Sequence, residues 1–177
     1  MIAAIKASIS NLDVDNQSNS NNINDINHIT YSKSELDSHA NMIVLGKECF
    51  VFESTGKTCN VEPFDPALGT AQDILIVDAA IAYDCPFTHE TYILIIRNAL
   101  YIKTMANNLI PPFIMREGGL IVNDIPKMHC QDPSIHDHCI SFKDIDLKIP
   151  LQLNGIFSYF LSRKPLPSEL YEKDKVF

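Results

Sequence analysis

From residue 42 onward the chain is a succession of short apolar runs, each cut off by turn-forming residues. That pattern limits the body to strands. Met42-Ile43-Val44-Leu45 ends at Gly46-Lys47-Glu48, and Cys49-Phe50-Val51-Phe52 follows. Ser54-Thr55-Gly56-Lys57 predicts a hairpin turn into Thr58-Cys59-Asn60-Val61. Pro63, Pro66 and Gly69 mark a loop. Residues 74–83 read as one long strand or two short ones, and 84–90 as a turn. Residues 91–96 and 99–102 are rich in Ile and Tyr, as half-buried strands prefer, and the stripe Tyr92, Leu94, Ile96 belongs in the core. Short strands with frequent turns predict a mostly β domain, a barrel or a sandwich.

One short helix is expected over residues 112–117, with Pro112 at its opening and Gly118-Gly119 past its end. Leu120-Ile121-Val122 reads as a closing strand. Residues 1–33, with Asn16-Gln17-Ser18-Asn19-Ser20-Asn21-Asn22, hold too little apolar surface to offset ordering entropy. They read as a disordered tail, in which a short helix over residues 3–9 would be marginal by itself. The folded body is expected over residues 34–125, a polar loop over 126–148, a β-hairpin over 149–161 and a charged tail over 162–177. Asn154-Gly155 is the signal for a type I′ turn in that hairpin.

The 177 residues suggest one domain, or one domain with tails, and a hydrophobic content of 46% is enough for a core. Lys and Arg number 14 against 22 Asp and Glu, a net charge of −8, which argues against nucleic-acid backbone binding. The longest apolar run, residues 92–96, is strand length and far too short to span a bilayer, so no membrane association is expected. The N-terminal residues show no signal-peptide pattern. Five cysteines at irregular spacing do not form a secreted disulfide framework, so a reducing, cytoplasmic setting is expected.

Two stretches carry chemistry. Asp37-Ser38-His39-Ala40 sits where the polar tail gives way to the apolar body. Alone, Asp37 reads as a turn aspartate capping a nearby N–H, because Asp-Ser pairs are common in turns. The second stretch, His129-Cys130 with His136-Asp137-His138-Cys139, contains zinc-ligand residue types. Its pairs are adjacent residues, which a tetrahedral site uses poorly, so a solvated loop without metal is expected.

Taken together, residues 35–122 resemble the retropepsin-like aspartic protease of copia-type LTR retrotransposon polyproteins. Leu36-Asp37-Ser38-His39-Ala40 resembles the active-site turn Asp-Ser/Thr-Gly-Ala, with His39 in the glycine's place. Asn98-Ala99-Leu100-Tyr101-Ile102, followed by Asn108-Leu109-Ile110, resembles the segment Val-Leu-Tyr-Val-Pro … Asn-Leu-Leu-Ser of such polyproteins. Residues 113–119 resemble the short helix ending in glycine that follows. The hairpin over 151–160 resembles the strand segment between protease and integrase. Lys103 stands where the family's proline is usual, and Pro111 where Ser or Gly is usual.

The resemblance implies a retropepsin-like closed β-barrel or sandwich and an aspartic endopeptidase active on extended peptides or a polyprotein. A monomer supplies one aspartate, so it implies a homodimer in which two copies of Asp37 face each other. Such a pair shares a proton, one carboxylate acting as base on water and the other as acid on the carbonyl. Ser38 would orient the dyad, and residues 73–83 would supply a flap over the substrate. No cofactor is implied. Two other classes stay open: a catalytically inactive, retropepsin-like interaction module, and a small metal-stabilised binding domain built on the His/Cys stretch.

Overall fold

The computed structural model describes residues 1–7, 29–63, 65, 67 and 69–170. They are mostly β. The first elements are β1 (Ile2–Lys6), β2 (Tyr31–Leu36), β3 (Val44–Leu45), β4 (Phe50–Val61), β5 (Ala71–Asp84) and β6 (Thr91–Tyr101). Next come β7 (Asn108–Ile110), α1 (Pro112–Glu117), β8 (Ile121–Asn123), β9 (Cys139–Phe142) and β10 (Leu147–Pro150). β11 (Gln152–Asn154), β12 (Phe157–Arg163) and α2 (Pro167–Leu170) follow.

Nine strands share one sheet, and its pairings return on themselves. β6 pairs with β3, β3 with β7, β7 with β2, β2 with β12, β12 with β5, and β5 with β6. β1 adds to β6, β4 to β5 and β11 to β12. A second sheet has the order β10-β9-β8. It gives Val122, Ile140, Phe142, Leu147 and Ile149 to the same core that holds Leu36, Met115 and Phe160.

β6 shows why its sequence is apolar at every position. Tyr92, Leu94 and Ile96 face the main core, as their spacing predicts. Ile93 and Ile95 face the other way, where they pack with Ala80 and Ala82 against Ile5 and Leu170. A strand covered on both faces loses the alternation of a half-exposed one.

Several boundaries differ from the sequence reading. Residues 2–6 are a strand antiparallel to β6, not tail or helix, because Ile2 and Ile5 find apolar partners there. Strand β2 begins at Tyr31, and residues 8–28 lie outside the described residues. Residues 54–57 are not a hairpin turn. β4 runs through them, and its pairing jumps from Ser54–Val77 to Thr58–Leu75. Among the described residues β4 pairs only with β5, and the extra residues form a bulge on this edge, with Gly56 at φ 71°. Residues 126–148 hold β9 and the start of β10 rather than loop alone. The β11–β12 turn is Gly155-Ile156, one residue later than expected, with Gly155 at φ 63° and Asn154 paired to Phe157. Glycine in first place with positive φ suits a two-residue turn in which only that position is left-handed.

Residues 162–170 are not a tail. Ser162 and Arg163 are buried, and Arg163 forms ion pairs with Asp84 and Glu169. Residues 171–177 lie outside the described residues. The helix over 112–117 stands where the sequence puts it, and its capping Gly118 donates its N–H to Ile114 O at 3.0 Å. α2 is a second short helix that the sequence reading lacks. Among the described residues, no helix is long and apolar enough to cross a membrane.

Candidate active site

Alternation along β2 buries Ser32, Ser34 and Leu36 and turns Tyr31, Lys33 and Glu35 away from the core. The strand stops at Leu36, and Asp37 opens the turn with its side chain 32% exposed. The Asp37 N–H donates to the carbonyl of Ile110 at 3.2 Å. Oδ1 of Asp37 accepts the backbone N–H of His39 at 2.9 Å. A bond of this kind is what any turn aspartate makes.

The support of the turn is less ordinary. β7 lies between the strand that enters it and the strand that leaves it. It runs parallel to β2, with Ser34 opposite Asn108 and Leu36 opposite Ile110, and antiparallel to β3, with Val44 opposite Leu109. Both limbs of the turn are therefore fastened to one third strand, and the carboxylate stands on a braced loop rather than a free one. Precision of this kind is what a reacting group needs.

Behind the turn lies a buried polar network. Asn108, Ser34 and Ser162 are each fully buried. Nδ2 of Asn108 donates to Ser34 Oγ at 3.0 Å and to Ser162 Oγ at 3.3 Å. Oδ1 of Asn108 accepts the Gly46 N–H at 2.9 Å. Ser34 and Ser162 share a hydrogen bond of 2.8 Å. Gly46 has to lack a side chain, since a Cβ there would stand 2.5 Å from the carbonyl oxygen of Met105.

Neither family models, curated proteins nor solved structures match this chain.

The structure places Ser38 next to Asp37 but turns its hydroxyl to Nδ1 of His39, at 3.4 Å. His39 is almost fully exposed, and its Nδ1 lies 4.0 Å from Asp37 Oδ1. The flap expectation needs correction. Residues 77–83 are buried strand, not a mobile cover. What projects from the body is the outer half of the β4–β5 pair, where most of 52–60 and residues 71–73 and 75 are exposed. Asp78 is buried on β5 opposite a bulge in β6, accepting the Asn98 N–H at 2.8 Å and pairing with Arg97 at 2.7 Å. Asp84 receives Arg163 through two hydrogen bonds of 2.7 Å each. Neither aspartate has a flap or turn role.

The His/Cys stretch is dispersed. His138 points inward, with Nε2 2.9 Å from Ser158 Oγ. Cys139 is buried, while His129 and His136 are exposed. Asp137 is spent on the N–H and hydroxyl of Ser134, at 2.8 Å each. Among the described residues, no group of three or more His, Cys, Asp or Glu is placed to hold a metal ion.

Burial holds the His138 imidazole below its ordinary value, and Lys127 adds to this while Asp124 opposes it. The unfolded chain therefore takes up this proton first as pH falls. The contribution of His138 to stability is complete above about pH 6.5 and is lost as pH falls from there through the folded value. Urea unfolding midpoints should decline between pH 7 and pH 5, and less so in His138→Gln. A decline equal in both proteins would assign the effect elsewhere.

Sequence reasoning missed Asn108, Ser162 and Arg163 as parts of this assembly. The signal for the first was slight, an amide two residues before Ile110 on the buried side of β7. Nothing local marked Ser162, whose partner Ser34 lies far back in the chain, and of the two partners of Arg163 only Glu169 is near it in sequence.

Proposed function

We propose that this chain is an aspartic endopeptidase with a retropepsin-like barrel, acting as a homodimer on extended peptide segments of a polyprotein. The observation that carries the reading is the Asp37 turn, with its partly exposed carboxylate braced by β7 between β2 and β3. The closed circuit of strand pairings is what a barrel of this kind requires.

The chemistry follows from two such turns meeting across a twofold axis. One chain has one Asp37, so water activation and carbonyl protonation need the carboxylate of a second copy. Two carboxylates a few ångström apart do not both carry full charge, so the pair holds one proton and titrates as a unit. The charged member removes a proton from water, which attacks the scissile carbonyl. The protonated member donates to the carbonyl oxygen. The backbone N–H of His39 fixes one oxygen of each Asp37 and leaves the other for the reaction. The projecting part of β4 and β5 is the segment suited to cover a bound peptide and exclude water.

A second reading, an inactive interaction module, is favoured by Ser38, whose hydroxyl faces His39 instead of the carboxylate. Cleavage of a peptide library by the whole chain, with sedimentation to count dimers, separates the two. Asp37→Asn is expected to lower the cleavage rate by about 10⁴-fold or more, since both proton transfers are lost. A folded, dimeric wild type that cleaves nothing would sink the enzyme reading.

A further inference from the structure

We infer that Asn108 is a positioning residue for Asp37, acting as a clamp across the two limbs of the turn; this rests on the proteolytic reading. The carboxamide reaches the entering limb through Ser34, three residues before Asp37, and the leaving limb through Gly46, one residue past β3. Gly46 N–H can only donate, so it fixes the oxygen of the amide on that side and both N–H groups on the serines.

The leaving limb needs such a tie. β3 is two residues long and meets β7 at one position, Val44 opposite Leu109. Beyond Leu45, the limb is held by Gly46 on the Asn108 side chain and by Lys47 N–H on Met105 O at 3.0 Å. On its other side β3 is held by β6, through Leu100 N–H to Ile43 O at 2.9 Å and Ile102 N–H to Leu45 O at 3.0 Å, but across β7 the two limbs are tied by that single pair and by the Asn108 amide, which bonds to both of them.

Packing alone does not explain the residue. A leucine of similar size would fill the space without the cost of burying an amide away from water. Aspartate has the shape but no donors, so it would lose both N–H bonds to the serines and bury a charge. Asparagine offers two donors and one acceptor in one plane, which suits Ser34 and Ser162 on one side and Gly46 on the other. Ser162 ties the clamp to β12, so the C-terminal strand and the turn share one network.

The test compares Asn108→Leu and the milder Ser34→Ala with Ile140→Val, a core change on β9 in the second sheet, outside the hydrogen-bond network of the clamp. Two readouts are taken well below the melting temperature. One is the NMR shift of the His39 amide, which reports its bond to Asp37. The other is the split of peptide cleavage into kcat and KM. Both clamp variants should move the His39 amide and lower kcat, by about 10-fold or more for Asn108→Leu, with KM within a few-fold. Ile140→Val should do neither. A His39 amide that stays in place in folded Ser34→Ala and Asn108→Leu overturns the clamp, as does a loss confined to KM. If Asn108→Leu does not fold, Ser34→Ala decides alone. If the wild type cleaves nothing, the proteolytic reading fails by itself, and the amide shift still judges the clamp.

Discussion

A fragment restricted to residues 34–125 is expected not to fold. The sequence puts the domain there, but the fragment lacks β1 and everything from β9 onward. The decisive loss is β12, which runs between β2 and β5 and pairs through Tyr159–Arg163 with Tyr31–Glu35. Without it the circuit of strands is open beside the strand that carries Asp37. The core loses Phe160, Ile140, Phe142, Leu147 and Ile149 together. Removing one buried side chain of this size costs about 2–5 kcal/mol, so losing five exceeds the whole stability of an ordinary domain. Thermal unfolding followed by circular dichroism should show no cooperative transition for the fragment and one for the whole chain. A fragment that melts sharply would show that β12 is an accessory.

Arg163→Met is expected to cost about 3–5 kcal/mol, the usual penalty for leaving a buried charge unpaired. Arg163 is 4% exposed and pairs with Asp84 at 2.7 Å and Glu169 at 2.6 Å. The Glu169 hydrogen bonds, against the opposing effect of burial and together with Asp84, hold the guanidinium proton far more tightly than usual. Burial alone would push Asp84 up, but hydrogen bonds from Arg163, Thr91 and Tyr31 outweigh it and hold the carboxyl below its ordinary value. The stability from Asp84 is therefore present above about pH 3.8 and is lost only as pH falls through the lower folded value. That window lies well below the one set by His138, so the two effects separate in a pH series. Urea denaturation at neutral pH measures the loss. Adding Asp84→Asn and Glu169→Gln to Arg163→Met should recover part of it by removing the orphaned charges. No recovery would mean that the arginine acts through packing of its stem.

What could be read in advance follows from how local each signal is. α1 was legible because Pro112 and Gly118 punctuate it within a few residues. The stripe Tyr92, Leu94, Ile96 was legible because alternation is local too. The Asp37 turn was visible as a motif, but its brace was not, since Ile110 and Asn108 lie some seventy positions downstream. The residues read as tails failed for the same reason. Ser162 and Arg163 look like any polar pair until Ser34 and Asp84 are beside them. Gly56 looked like a hairpin turn because a bulge on an edge strand uses the same residue type. His138 and Cys139 read as part of a solvated loop because residue type does not show which way a side chain points; both are buried, and His138 points to Ser158.

The position of β12 also sets an order in time. Strands far apart in sequence pair slowly, because the long intervening chain has to be ordered before the contact repays it. A chain emerging from the ribosome presents the Asp37 turn early and its neighbour β12 late. Until β12 arrives, β2 has an open edge and the turn has no finished scaffold behind it, as in the isolated 34–125 fragment. On the proteolytic reading, the acid that would cut other chains is made long before it is able to act, and its own synthesis keeps it latent.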